Sequence, residues 1–158
     1  EPQRLQDAEL VVFPGGFSYG DDIAAGRVFG YEVRTRLAEA FDGFVARGGY
    51  VLGVCNGFQI LVDTGLLEPP AKRGAARRFA LTLNASAHFE CRWVTLEVQP
   101  SACAWLPAGL RMDVPVAHAE GRFVPRDAAA FAELEAAGQI ALRYVGEDGG
   151  PPAYPANP

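Results

Sequence analysis

The sequence predicts an α/β fold, Rossmann-like (flavodoxin-like), with a mostly parallel sheet and helices on both of its faces. The first observation is the order of candidate elements in the amino-terminal half: strand, loop, helix, strand, helix. That alternation is typical of parallel α/β sheets. The second is an apolar, β-prone run at residues 50–54, as expected of a strand buried on both faces. The third is a glycine-framed turn after that run, where the pattern changes from strand to helix.

The first strand candidate, residues 10–13, leads into a loop of turn-forming residues, P-G-G-F-S-Y-G-D-D at 14–22. In open α/β sheets, a loop at the carboxyl end of a parallel strand is where binding sites lie. The loop has neither the G-x-x-x-x-G-K-[ST] nor the G-x-G-x-x-G pattern of phosphate sites. Taken alone, its Pro-Gly pair favours an ordinary tight turn. Beside the cysteine turn described below, the N–H groups of Gly15 and Gly16 are better interpreted as a wall that stabilises an oxyanion.

Residues 28–47 are predicted to form one amphipathic helix. Apolar side chains recur there at helical spacing, namely Val33, Leu37, Phe41, Phe44 and Val45. Gly48 and Gly49 end the helix, as glycines commonly do at helix C-termini. A second helix follows the strand at 50–54 and stops near Gly65.

The second half of the chain is predicted to contain three strands and one helix. Apolar patterning places the strands at 89–98, 110–118 and 140–145. Asp127 is placed to cap a helix over 128–137. Upstream lies a basic cluster of Lys72, Arg73, Arg77 and Arg78. We interpret it as a solvated loop, with a partner-contact surface as the weaker alternative.

Length and composition bound the class of protein. The 158 residues, 49% of them hydrophobic, predict a single domain over 1–158 with an ample core. The net charge of −5 argues against a nucleic-acid surface, and no run of about 18 apolar residues predicts a membrane span. The three cysteines are odd in number and irregularly spaced, which predicts a reducing, cytoplasmic setting rather than a disulfide framework. With only two histidines, the sequence shows no zinc-ligand spacing.

The residues most suggestive of chemistry are G-V-C-N-G at 53–57. This is the cysteine form of the nucleophile elbow, in which a strand turns sharply into a helix and presents one side chain. A Cβ at Gly53 or Gly57 would crowd the neighbouring strand and helix. Cys55 would lie at the helix N-terminus, whose partial positive charge stabilises a thiolate. The N–H of Asn56 is then placed to donate to a developing oxyanion.

A structural role is the simpler interpretation of Cys55, as it is of the other two cysteines and of His118. A lone cysteine in an apolar run is more often a buried structural residue, and Cys91 and Cys103 are interpreted as structural. For Cys55, the paired glycines and the strand-to-helix switch favour a nucleophile. His118 and Glu120 suggest a Cys–His–Glu triad, although a histidine at a strand end is more often a hydrogen-bonded structural residue.

Three segments, P-G-G-F-S-Y-G-D, G-V-C-N-G-F-Q-I-L and P-V-A-H-A-E-G-R-F, together resemble one family. It is the glutamine amidotransferase subunit of phosphoribosylformylglycinamidine synthase, from purine biosynthesis, and the resemblance runs from about residue 10 to the end of the sequence. G-x-C-x-G-x-Q alone indicates only the wider group of triad-type amidotransferases. F-S-Y-G-D and V-A-H-x-E-G-R-F are more specific.

The resemblance implies a glutaminase that hydrolyses glutamine to glutamate and ammonia through a cysteine thioester. Cys55 matches the family's nucleophile, and its oxyanion hole corresponds to Gly15, Gly16 and Asn56. Gln59 matches a position that contacts bound glutamine. No metal is implied.

The resemblance also implies what this chain lacks. The segment at His118 matches a signature near the glutamine pocket, not the catalytic base. The family's base histidine and orienting glutamate form an H-x-E pair expected beyond Pro158, and the family's first strand would precede Glu1. The sequence is therefore expected to be the interior of a longer protein, truncated at both ends. Ala119 and residues 22–26 depart from the commonest family pattern without removing a reacting group.

The family further implies a partner. The ammonia is expected to pass to a synthetase subunit, which converts formylglycinamide ribonucleotide to formylglycinamidine ribonucleotide. A small accessory subunit is a possible further partner in the same complex. ATP and Mg are expected on that synthetase, and no cofactor is expected in this chain. Two alternatives stay open: an amidotransferase that serves another acceptor, and a non-catalytic binding module on the same fold.

Overall fold

The computed structural model describes residues 5–21, 24–68 and 77–158. These residues form seven strands and four helices, with a short 3₁₀ turn at Ser18–Asp21. In chain order the elements are β1 (Leu10–Phe13), α1 (Arg27–Arg36), α2 (Ala38–Ala46), β2 (Tyr50–Gly53), α3 (Asn56–Thr64), β3 (Phe79–Thr82), β4 (Glu90–Val98), β5 (Arg111–His118), β6 (Arg122–Pro125), α4 (Ala128–Ala136) and β7 (Leu142–Tyr144). The predicted α/β class is confirmed.

The chain divides into two compact units, Glu1–Ala80 and Leu81–Pro158. The expectation of a single domain over 1–158 stays a prediction.

Within the described ranges, no helix is long and apolar enough to cross a membrane. Lys72 and Arg73 of the predicted basic cluster lie outside the described residues.

The first unit is built on a parallel pair of strands. β1 and β2 run side by side, in register from Leu10 opposite Tyr50 to Phe13 opposite Gly53. This is the parallel pairing that the alternation of elements predicts. A buried cluster joins this pair to all three helices of the unit, and its members are Phe13, Val33, Phe41, Ile60 and Leu61. Val11 and Val51 pack against the cluster from the same face of the strands.

The expectation that β2 is buried on both faces was wrong. Tyr50 is 50% exposed and Leu52 36% exposed, and their register partners Leu10 and Val12 are each 47% exposed. Side chains of a strand point alternately to opposite faces, and α1, α2 and α3 all contribute to the cluster on the other face. The apolar run therefore predicts the strand correctly but not the burial of both of its faces.

The single helix predicted over 28–47 is two helices. The break falls at Leu37, whose φ of −128° and ψ of 3° are not helical. Val33, Phe41 and Phe44 are nevertheless buried, each at most 3% exposed. A hydrophobic period identifies the buried face but not a one-residue interruption, because the side chain of Leu37 itself still packs against the cluster.

The second unit is organised around an antiparallel sheet. β4 lies between β5 and β7 and pairs antiparallel with both, with Glu90 opposite His118 and Leu96 opposite Tyr144. The expectation of a mostly parallel sheet does not extend to these strands. A parallel connection needs a crossover, usually a helix, and the residues between β4 and β5 form none.

In the second unit, short-range sequence signals predicted the structure better than they predicted which strands pair. Asp127 caps α4 as predicted, since its Oδ1 accepts a 2.8 Å hydrogen bond from Ala130 N. β3 and β6, which pair in a two-stranded sheet, were not predicted from the sequence. In the first unit, at the edge of the described residues, Arg77 forms an ion pair with Asp63 rather than extending freely into solvent.

Candidate active site

The turn after β2 has the geometry of a nucleophile elbow. Cys55 has φ 54° and ψ −117°, a conformation that costs a non-glycine residue about 1–3 kcal/mol. α3 begins at the next residue, and Gly57 N donates to Val54 O across the turn at 2.9 Å. The Cys55 side chain is exposed. The unusual backbone predicted for Cys55 is therefore present.

The two framing glycines are required by close packing, as the motif predicts. A Cβ at Gly57 would lie 1.9 Å from Phe13 O, and one at Gly53 would lie 2.6 Å from Leu61 Cδ1. Phe13 O is a backbone atom that cannot yield cheaply, and a Cβ at Gly53 would also meet backbone, at 2.8 Å from Gly57 O. Glycine at these positions lets α3 begin directly against the β1–β2 pair, and this brings Cys55 to the carboxyl end of both strands.

The glycine loop after β1 meets Cys55 at that edge. A methyl group at Gly15 would lie 3.3 Å from Cys55 Cβ and 3.8 Å from its Sγ. Gly16, with φ 136°, adopts a conformation that favours glycine and faces open space. Among the described residues, no hydrogen bond uses the N–H of Gly15, Gly16 or Asn56. Gly15 thus packs beside Cys55, and the assignment of these three N–H groups as oxyanion donors stays a prediction.

A network of side chains behind the turn escaped the sequence analysis. Asn56 is only 2% exposed, and its Oδ1 accepts a 3.3 Å hydrogen bond from Ser18 N. Its Nδ2 donates to Asp21 Oδ1 at 3.2 Å and to Gln59 Oε1 at 3.1 Å. Asp21 Oδ1 also accepts from Gly26 N at 3.2 Å. The motif analysis used only the backbone of Asn56; its side chain connects the loop to α3.

The structure argues against one suggested triad. His118 Nδ1 lies 2.8 Å from Asn84 Oδ1, so the orienting group is an amide rather than Glu120. Asn84 Nδ2 donates to the carbonyl oxygens of His88 and His118, which fixes Asn84 Oδ1 as an acceptor. Nδ1 of His118 must then carry the proton. A Cβ at Gly121 would lie 2.3 Å from His118 Cε1, so the ring rests against that glycine.

Burial lowers the pKa of His118 below its ordinary value of 6.5. We therefore expect ¹⁵N NMR of the full-length protein at neutral pH to show His118 neutral, protonated at Nδ1 and unprotonated at Nε2. Asn84→Ala should remove this preference, and exposed His88 provides the internal reference. A proton on Nε2 of wild-type His118 would contradict the hydrogen-bond assignment. Since protonation opposes the folded state, wild type should also lose more stability than His118→Gln as the pH falls below 6.5.

Comparison with known proteins gives a consistent picture. A family model described as a CobB/CobQ-like glutamine amidotransferase domain matches residues 1–158. Phosphoribosylformylglycinamidine synthase subunit PurQ of Dehalococcoides mccartyi is 42% identical over 160 residues, covering 100% of this chain and 60% of that protein. PurQ of Synechococcus sp. is 43% identical over 145 residues, covering 89% of this chain and 58% of that protein.

A solved structure shows the same relationship in three dimensions. The structure of PurLQS from Thermotoga maritima contains a chain that matches with a TM-score of 0.63 at 33% identity. The match covers 89% of this chain and 57% of that one. The chain thus spans roughly three fifths of the length of these relatives. The resemblance inferred from the three motifs is confirmed, and the chain belongs to the CobB/CobQ-like glutamine amidotransferase family.

Proposed function

We propose that this chain is the glutaminase part of phosphoribosylformylglycinamidine synthase. In this role it hydrolyses glutamine to glutamate and ammonia. The observation that carries the proposal is Cys55 on a strained strand-to-helix turn, with Gly15 packed against it. An exposed cysteine with the glycine loop beside it suits attack on an amide carbonyl. The curated relatives, which are named as subunits of this synthase, support the choice of reaction.

The reaction follows from the atoms at the turn. The Cys55 thiolate attacks the side-chain amide carbon of glutamine, and the carbonyl π electrons move onto oxygen. The N–H groups of Gly15, Gly16 and Asn56 stabilise that oxyanion, at about 3–4 kcal/mol for a donor of this kind. Collapse of the intermediate breaks the C–N bond, and ammonia leaves with a proton supplied by a base histidine. Water then cleaves the thioester, releasing glutamate and the thiolate.

The remaining groups complete the site. Gln59 would contact bound glutamine, and its Oε1 already accepts from Asn56, which orients its amide. The two histidines of these 158 residues, His88 and His118, both belong to the second unit. By family resemblance, the base histidine and its orienting glutamate would be an H-x-E pair beyond Pro158.

The ammonia would be used by a partner. The similar Thermotoga structure is one of PurLQS, which supports a synthetase subunit as partner, together with a small accessory subunit. ATP and Mg would bind the synthetase, where the ammonia converts formylglycinamide ribonucleotide to formylglycinamidine ribonucleotide. We place this activity in the cytoplasm, and the three free cysteines, Cys55, Cys91 and Cys103, support a reducing compartment.

Covalent labelling tests the proposal directly. We expect a glutamine analogue that carries a diazoketone in place of its amide to alkylate Cys55 of the full-length protein in complex with the synthetase. Excess glutamine should block the reaction, and mass spectrometry should find Cys91 unmodified although it is also exposed. Absence of glutamine-protected labelling at Cys55, or no release of glutamate from glutamine, would refute the proposed function.

A further inference from the structure

We infer that Asp21 and the side chain of Asn56 are positioning residues that hold the glycine loop against Cys55. The hydrogen bonds from Asn56 to Ser18, Asp21 and Gln59 are here called the Asn56 bridge. This inference rests on the proposed function, because it assigns the bridge to the oxyanion wall of that reaction. It adds a role for two side chains that the reaction itself does not use.

The donors and acceptors of the bridge allow a single arrangement. Ser18 N can only donate, so Asn56 Oδ1 is the acceptor and Asn56 Nδ2 is the donor. Both Nδ2 hydrogens are then used, one by the Asp21 carboxylate and one by Gln59 Oε1. The Asn56 side chain is only 2% exposed, and this arrangement uses its oxygen and both of its Nδ2 hydrogens. A buried amide in such a network fixes the positions of its partners.

The loop needs an external tie because its own conformation is unfavourable. Tyr19 has φ 55°, in the left-handed region that bulky side chains disfavour, and Asp21 has the same φ, which aspartate tolerates better. Ser18 and Asp21 are the two loop residues that Asn56 holds, and they lie 38 and 35 residues away from it in sequence. Without the bridge, the loop is free to relax towards more favourable backbone angles. Gly15 and Gly16 precede this segment directly and would shift with it.

One carboxylate oxygen joins both helices that frame the loop. Asp21 Oδ1 accepts from Asn56 at the start of α3 and from Gly26 N at the start of α1. Gly26 in turn lies close to α3, since a Cβ there would be 2.8 Å from Ile60 N. The loop is therefore held between two helix starts that already pack together. An oxyanion donor displaced by about 1 Å can cost as much as 10²-fold in rate, so this tie bears on catalysis.

The test compares two substitutions of Asp21 in the full-length protein assembled with its synthetase. Asp21→Gly removes the carboxylate without adding strain, because glycine tolerates φ 55°. Asp21→Asn keeps an acceptor oxygen for Asn56 and Gly26 and also tolerates this backbone. Glu39→Ala, an exposed carboxylate on α2, is the control.

We expect Asp21→Gly to lower the glutaminase kcat at least tenfold with a smaller change in KM, since the oxyanion forms only after attack. Alkylation of Cys55 by iodoacetamide needs no oxyanion wall and should stay within threefold of wild type. Asp21→Asn and Glu39→Ala should keep kcat within threefold. A smaller loss in Asp21→Gly, a parallel loss of alkylation, or an Asp21→Asn enzyme as impaired as Asp21→Gly would overturn the assignment.

Hydrogen exchange separates this inference from the proposed function. The Ser18 and Gly26 amides should be protected in wild type, and Asn56→Ala should speed exchange at Ser18 at least tenfold. This measurement requires no glutamine chemistry. If the wild-type protein failed to hydrolyse glutamine, the proposed function would be refuted. The exchange rate at Ser18 would still test the Asn56 bridge. Equal exchange at Ser18 in wild type and Asn56→Ala would refute the bridge even in an active glutaminase.

Discussion

Cys55→Ala in the full-length subunit is expected to abolish glutamine-dependent synthesis of formylglycinamidine ribonucleotide while leaving synthesis from added ammonia intact. In the proposed reaction the thiolate is needed only to release ammonia, and the acceptor and ATP sites would lie on the synthetase. Loss of a nucleophile that acts together with a base and an oxyanion hole costs on the order of 10⁴-fold or more in rate. The measurement is a paired assay of the reconstituted complex, first with glutamine and then with an ammonium salt.

The fold should tolerate this change. The sulfur of Cys55 is exposed and alanine retains the Cβ that faces Gly15, so little packing is lost. We expect a cost of about 1 kcal/mol or less, at the mild end of single substitutions. Cys91→Ala is the matched control, because Cys91 is a second exposed cysteine outside the turn. Cys91→Ala and Cys103→Ala should leave both activities largely unchanged.

Two results would count against this assignment of Cys55. If a folded, partner-bound Cys55→Ala protein lost synthesis from ammonia as well as from glutamine, Cys55 would have a role outside glutamine hydrolysis. If it lost neither activity, the strained turn would be a structural feature and another group would attack glutamine.

The turn could be predicted from the sequence because its causes are local. A strand that changes to a helix within one residue leaves no room for a Cβ on either side, and Gly53 and Gly57 satisfy that requirement. The same holds for the Asp127 cap, where donor and acceptor are three residues apart. The proximity of Gly15 to Cys55 was also predictable, because both follow strands that pair in parallel.

What escaped prediction depends on contacts distant in sequence. The Asn56 bridge joins residues up to 38 positions apart, and nothing in G-V-C-N-G shows where the Asn56 side chain points. The exposure of Tyr50 and Leu52 is set by which face the helices cover, and an apolar run does not encode that choice. The break at Leu37 is equally invisible, because its side chain stays in phase with the buried face.

The largest effect on stability is expected at Gly57. A Cβ there would overlap Phe13 O at 1.9 Å and approach Phe13 C at 2.5 Å. Neither atom can yield cheaply, because Phe13 O accepts a 3.0 Å hydrogen bond from Val54 N and the Phe13 ring lies in the buried cluster. Gly57→Ala must therefore push α3 away from β1.

The cost of this displacement is partly offset by the higher helix propensity of alanine. Replacing glycine by alanine inside a helix gains about 1 kcal/mol, whereas overpacking costs about 1–3 kcal/mol and occasionally more. With backbone as the obstacle at both Phe13 O and Phe13 C, we expect the clash to dominate and Gly57→Ala to lower the free energy of unfolding by about 2 kcal/mol. Glutaminase activity should fall at least tenfold, since the shift moves the N–H of Asn56 relative to Cys55.

Gly43 supplies the matched control, because the same substitution there should have the opposite sign. It lies inside α2, and a Cβ at that position would have no neighbouring heavy atom within 4 Å. Gly43→Ala should therefore raise the free energy of unfolding by about 0.5–1 kcal/mol and leave activity unchanged. Urea unfolding of the two full-length variants measures both changes. Similar midpoints for Gly57→Ala and Gly43→Ala would show that α3 does not press on Phe13 in solution, and the close approach that places Cys55 beside the glycine loop would lose its physical basis.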